Sequence, residues 1–190
     1  MLAAFFLAFG VIFIAELGDK SQLMALAFAT RFSPFKILLG ITIATAVVHL
    51  GSVAIGGLIG DHLPTSAINI VAGVAFFGFG AWTLRGDELT EKDEAKAHGV
   101  FRSPIVAASI AFFLAELGDK TMLATITLAT NQPWFGIWLG STLGMVAADG
   151  LAIAVGRVLG KRLPERAVKI GAASAFFIFG ALLVAEGVRG

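Results

Sequence analysis

Apolar residues along this chain run in long unbroken blocks rather than in alternation or amphipathic stripes, and blocks of that kind predict helices in lipid. Six stretches, about 2–30, 35–59, 66–84, 103–130, 134–159 and 166–187, reach the roughly 20 residues a helix needs to cross a bilayer core of about 30 Å. Between them stand Arg31 to Pro34, Asp61 to Pro64, the polar run Arg85 to Arg102, Asn131 to Pro133 and Gly160 to Glu165, each with turn or helix-stop residues. Scattered Gly and β-branched residues inside the blocks would weaken a soluble helix but are common in membrane helices. Open strands of this length would leave their backbone polar groups unmet in lipid, so the expected fold is all-α and integral to the membrane.

The blocks also repeat. Residues 5–84 align with 105–184 without a gap, with 30 identities in 80 positions. They include Ala15 to Lys20 with Ala115 to Lys120, Ala29-Thr30 with Ala129-Thr130, Gly40 with Gly140, Leu63-Pro64 with Leu163-Pro164, and Phe79 to Ala81 with Phe179 to Ala181. Shared apolar composition explains part of this, but not a six-residue block that holds three charges. The organisation expected is a first three-helix repeat over 1–84, a charged linker over 85–102 and a second repeat over 103–190, in one membrane domain.

An odd number of helices per repeat gives the halves opposite orientations, and the basic residues test this. With the N-terminus outside, the cytoplasmic loops hold Arg31, Lys36, Arg85, Lys92, Lys96, Arg102, Arg157, Lys161, Arg162, Arg166 and Lys169, against Arg189 outside. The positive-inside rule therefore puts both termini outside and the linker 85–102 in the cytoplasm. Equivalent loops also swap charge: Arg31 and Lys36 become Asn131 and Gly136, while Asp61 and His62 become Lys161 and Arg162. Six transmembrane helices arranged as two inverted three-helix repeats are the result. The linker, with Asp87, Glu88, Glu91, Asp93 and Glu94 among its lysines, is expected to be solvated; a cation-sensing role is the alternative.

Composition agrees: 57% of residues are hydrophobic, 14% are charged and mean hydropathy is +0.89. The near balance of 14 basic and 13 acidic residues offers no footprint for nucleic acid. Without cysteine, disulfides, thiolate metal sites and cysteine chemistry are excluded, so a metal here must use oxygen ligands, with His as the nitrogen ligand available. Met1 to Phe6 lack a basic region ahead of the apolar block, so the first stretch is expected to stay as a span rather than be cleaved.

The chemistry concentrates in the repeated block. Glu16 and Asp19, and again Glu116 and Asp119, are spaced three apart, which in a continuous helix puts both acids on one face. Both pairs fall near the middle of their stretches, where an uncompensated ion costs between about 3 and more than 10 kcal/mol. An inverted repeat brings mid-depth elements face to face, so four carboxylates are expected to converge. Clustered carboxylates suit Ca²⁺ or Mn²⁺. When the metal leaves, mutual repulsion favours protons on the same oxygens, and that competition is an antiport mechanism.

Around the acids, Gly18 and Gly118 permit either close helix approach or local unwinding. Ser21 and Thr121 offer hydroxyls that bond back to a helix carbonyl or ligate a cation. Lys20 and Lys120 neutralise nearby carboxylates or act as mobile charges in gating, and a purely structural salt-bridge network is the bland alternative. Gln22 and Met122 follow at equivalent places. His49 and Asp149 occupy equivalent positions in the second helix of each half, with Asp149 a candidate proton site or supporting group. The Phe76, Phe77, Phe79 and Phe176, Phe177, Phe179 clusters read as lipid-facing or packing surface, and Trp82, Trp134 and Trp138 as interfacial anchors.

At these motifs the chain resembles the small cation/proton exchangers of the calcium/cation antiporter superfamily. These include bacterial manganese exporters and a eukaryotic Golgi manganese/calcium transporter, and they carry a doubled E-x-G-D-[KR]-[ST] signature. Both copies are complete here, ending in Lys20-Ser21 and Lys120-Thr121. The resemblance implies exchange of Mn²⁺ or Ca²⁺ for H⁺, with Glu16, Asp19, Glu116 and Asp119 as ligands. The resemblance does not choose between the ions; a compact bacterial-type chain facing a cytoplasm is most consistent with Mn²⁺ export across a cell inner membrane, with the termini periplasmic by the charge bias, alternating access of the two repeats about the shared site, and no cofactor beyond the transported ions. Three rivals stand beside it: an organic-solute exporter, which needs an apolar pocket beside the acids; a non-transporting assembly subunit; and an intramembrane aspartyl protease using Asp19 and Asp119. The protease pattern has Gly where this chain has Glu16.

Overall fold

The computed structural model describes residues 1–60, 62, 64–85, 103–159 and 165–189. Most of the linker 85–102, with its acidic cluster, Lys92, Lys96 and Arg102, lies outside the described residues, as do Asp61, Lys161 and Arg162 and the side chains of Arg157 and Lys169. The described residues form eight helices: α1 Leu2–Glu16, α2 Lys20–Arg31, α3 Pro34–Gly60, α4 Thr65–Arg85, α5 Pro104–Glu116, α6 Lys120–Ala129, α7 Trp134–Leu159 and α8 Glu165–Arg189.

The all-helical, multi-pass membrane class holds. α3, α4 and the stretches Trp134–Gly156 and Ile170–Arg189 are each long and apolar enough to cross a bilayer, with mean hydropathies of 2.0, 1.7, 1.5 and 1.8. The stretches 2–30 and 103–130 are not the continuous helices expected. α1 and α2 are bent 75° apart at a break of three residues, and α5 and α6 are separated at the equivalent place.

The cause of the break lies in the chain itself. Leu17 and Leu117 leave the helix in extended conformation, and Gly18 and Gly118 follow at φ +77° and +79°, a left-handed region that residues with a Cβ enter only at a cost. Asp19 and Asp119, extended in turn, cap the next helices: their Oδ2 atoms accept the N–H of Ser21 at 3.3 Å and of Thr121 at 3.5 Å. Glu16 and Asp19 therefore do not share a helical face. Glu16 closes one half-helix and Asp19 opens the next.

Each half packs on the other through exchanged contacts. α1 and α2 lie on α7, while their counterparts α5 and α6 lie on α3; α3 meets α7 and α4 meets α8. The close approaches repeat this: a Cβ at Gly40 would come within 2.7 Å of Ala108 Cβ and Ile105 O, and one at Gly140 would press on Ala8 Cβ and Phe5 O. Small residues let helix backbones approach where lipid gives no hydrophobic drive to pack. The phenylalanine clusters sit on this seam. Phe76, Phe79 and Phe176 are buried, with Phe76 at 5.8 Å from Phe176 and 4.8 Å from Phe179, and Phe77 lies against Phe177 at 6.2 Å. Trp138 is turned inward rather than anchoring at an interface: its Nε1 donates to Ala46 O at 2.9 Å. Trp134 remains exposed.

Candidate metal centre

The two breaks meet inside the protein. Glu16, Glu116 and Asp119 are all buried, and one carboxylate oxygen of each lies within 4.8 Å of the others. The half-helix geometry explains why such a cluster is tolerated. The N-termini of α2 and α6 begin at the caps, and their exposed N–H ends favour negative charge. The expected fourth member, Asp19, is not in the cluster. It is held by Lys120 from the other repeat, in a buried ion pair. The reciprocal pair, Lys20 with Asp119, is looser at 3.7 Å. The lysines thus partner the aspartates across the seam rather than within their own motifs.

Hydroxyls steady the glutamates. Ser21 Oγ donates to Glu16 Oε2, and Thr121 Oγ1 donates to Glu116 Oε2 at 3.0 Å. The expected bond from Ser21 or Thr121 to a helix carbonyl is therefore replaced, because the break turns each hydroxyl back toward the glutamate five residues before it. Among the described residues, one oxygen of each glutamate, Oε1, accepts no hydrogen bond, although both are buried. A buried carboxylate oxygen without a donor is costly, and a cation among three such groups supplies what the protein does not.

Gln22 and Met122 are structural at this site. Gln22 Oε1 accepts the Gly18 N–H at 2.9 Å while its Nε2 donates to Ala148 O at 2.9 Å, tying the first break to α7. Met122 Sδ accepts the Gly118 N–H at 3.2 Å in the matching place, so its sulfur is turned to the backbone. Asp149 and His49 are both fully buried. Among the described residues, neither oxygen of Asp149 has a hydrogen-bond partner. His49 Nδ1 faces Thr142 Oγ1 at 3.5 Å, and its Nε2 has no hydrogen-bond partner among the described residues. Thr142 is the polar neighbour that motif reading passes over; its identity with Thr42 in the repeat was the available signal.

Comparison with known proteins gives consistent relatives. The family model described as divalent cation/proton antiporter GDT1 matches residues 4–91 and 104–190. A protein of Vibrio cholerae named "Putative manganese exporter" is 32% identical over 168 residues, covering 87% of this chain and 82% of its own length. A GDT1-like protein of Synechocystis is 30% identical over 197 residues, covering 94% of this chain and 95% of its own. The chloroplastic GDT1-like protein 2 of Oryza sativa subsp. japonica is 32% identical over 206 residues, and the match spans 93% of this chain but 59% of that longer protein. No solved structure matches the chain.

Proposed function

The chain belongs to the GDT1 family of divalent cation/proton antiporters, and from that premise we propose that it exports Mn²⁺ in exchange for protons at one site shared by its two halves. The observation that carries this reading is the buried cluster of Glu16, Glu116 and Asp119, drawn from both breaks. Asp19, paired with Lys120, completes the ligand set in the course of the cycle.

The proposed frame is six crossings in two inverted three-helix repeats, the first and fourth crossings each being a broken pair. The exchanged packing of α1 on α7 and α5 on α3 supports it, as does the loop charge swap. Half-helix ends placed at mid-depth are a recurrent way for transporters to hold an ion. The charge bias favours termini outside, in a cell inner membrane. Protons replace the metal on the same carboxylates, and Asp149, buried with both oxygens unpartnered among the described residues, is a second acceptor. Rocking of the halves about the site exposes it to each side in turn.

An oxygen-only donor set suits Mn²⁺ and Ca²⁺ alike; the Vibrio relative's name favours Mn²⁺. The organic-solute reading gains nothing from the two described cavities. One, of about 410 Å³, is lined by Phe6, Phe76, Phe176 and other apolar side chains; the other, of about 400 Å³, runs from Leu50 to Trp134. Neither is lined by a motif carboxylate. The protease reading would need Asp19 and Asp119 as a pair, yet each is partnered by a lysine. The test is reconstitution in liposomes with a trapped pH dye, offering Mn²⁺, Ca²⁺ and Mg²⁺ in turn. Proton movement driven by Mn²⁺ most strongly, by Ca²⁺ less and by Mg²⁺ least is expected, since Mg²⁺ sheds its water reluctantly; no metal-driven proton movement overturns the reading.

A further inference from the structure

The two ends of the molecule, related by the repeat, are not packed alike. α6 leads from the motif at Lys120 and Thr121 to the turn at Thr130 to Pro133, and along that way α3 lies against its backbone. A Cβ at Gly56 would press on Ile126 O and Ala129 Cβ, and one at Gly60 on the Thr130 carbonyl. α4 joins the same end: Asn131 Nδ2 donates to Asn69 Oδ1 at 2.7 Å, and Asn69 is buried. At the equivalent end the counterparts differ. Gly156, which matches Gly56, lies against the tip of the Leu26 side chain. Among the described residues, α4 packs on α6, but no comparable packing joins α8 to α2. The positions that match Asn69 and Asn131 hold Lys169 and Arg31, and two cations repel where two amides bond.

Resting on the inverted-repeat antiport reading above, we propose that the hydrogen bond between Asn69 and Asn131 latches shut the face of the metal site at the α3 and α6 ends, and that the opposite face, where the matching positions are cationic, is the one open at rest. Closing that opposite face in the same way would bring Arg31 toward Lys169, so it gains no latch and meets repulsion. The site therefore waits open to the side of those cations. The positive-inside bias makes that side the cytoplasm, where an exporter collects its metal. When the halves rock, the amide pair parts and each amide takes water instead, so the latch is worth one net hydrogen bond: enough to bias the equilibrium without locking it. Asn69 and Asn131 are positioning residues on this account, since neither belongs to the carboxylate cluster.

The chain has no cysteine, so one introduced thiol reports access without background. Thr125 is fully buried on α6, between the motif and the turn that carries Asn131, and Thr125→Cys is close to isosteric. Gln132→Cys, in the exposed turn, shows whether intact cells or inverted vesicles present this face to an impermeant maleimide. From that side and without added metal, Thr125→Cys is expected to label slowly. Adding Asn131→Leu, which keeps the size and loses the bond, should raise the labelling rate about fivefold, the worth of one hydrogen bond. Asn131→Asp should return it to the starting rate, because the Asn69 amide can turn to donate. Arg31→Asn with Lys169→Asn, which installs an amide pair at the other end, should also raise the rate, since the opposite state then gains a latch. A rate unchanged by Asn131→Leu, or a rise that Asn131→Asp fails to reverse, overturns the latch; a rate unchanged by the paired Asn variant overturns the bias between faces. Wild-type protein that labels as expected but moves no protons with Mn²⁺ overturns the antiport reading instead.

Discussion

Glu116→Gln is expected to abolish metal-driven proton movement while leaving the fold intact. The amide is nearly the same size as the carboxyl, and its oxygen can still accept from Thr121 Oγ1, now 3.0 Å from Glu116 Oε2. What disappears is one of three clustered negative charges, on a residue 1% exposed where no solvent ion replaces it. Losing a group that merely supports a ligand lowers metal affinity or activity about 10–100-fold, so losing the ligand's charge should exceed about 100-fold. The sign of the stability change separates this from damage. Without metal, removing a buried like charge relieves repulsion, so the variant's thermal midpoint in detergent should match or exceed that of the wild type. The stabilisation that Mn²⁺ gives the wild type should vanish. A variant that melts early with and without metal would mean that Glu116 serves the fold.

The second large effect belongs to the break. Gly118 sits at φ +79° with nothing within 4 Å of where a Cβ would lie, so space is not what demands glycine there. Conformation is. Left-handed backbone costs an ordinary residue roughly 1–2 kcal/mol, more when the side chain is β-branched and less for Asn. The series Asn, Ala, Val at position 118 should lose stability in that order, read by thermal unfolding. Exchange should fall faster than stability, and Gly118→Val should be close to inactive. Glu116 and Asp119 flank this peptide, so relaxing it toward a helix swings the two acids out of the geometry they share with Glu16. An Ala variant as stable and as active as the wild type would remove the break from the mechanism.

Much of the arrangement was legible because it rests on local or repeated signals. Block hydrophobicity marked the all-helical membrane class, and the 100-residue offset paired Gly40 with Gly140, which lie on Ala108 and Ala8. The acidic motifs stood out because charge at mid-depth needs a reason. The break was readable in principle: Gly followed by Asp is a helix stop followed by a cap. Spacing alone favoured a continuous helix, since an isolated Gly is tolerated in membrane helices. The pairing of Lys120 with Asp19 could not be read, because it depends on which face of one half meets the other. Trp138 misled for a related reason. Its place near a span end suggested an anchor, while the packing of α7 on α3 brought its indole N–H to the Ala46 carbonyl.

If the two motifs make one metal site, counting bound metal shows it most directly. Equilibrium dialysis of the purified protein against Mn²⁺ should find one ion per chain, and Glu16→Gln and Glu116→Gln should each reduce that to none. Two ions per chain in the wild type, with one surviving in each variant, would contradict it and make the motifs independent sites.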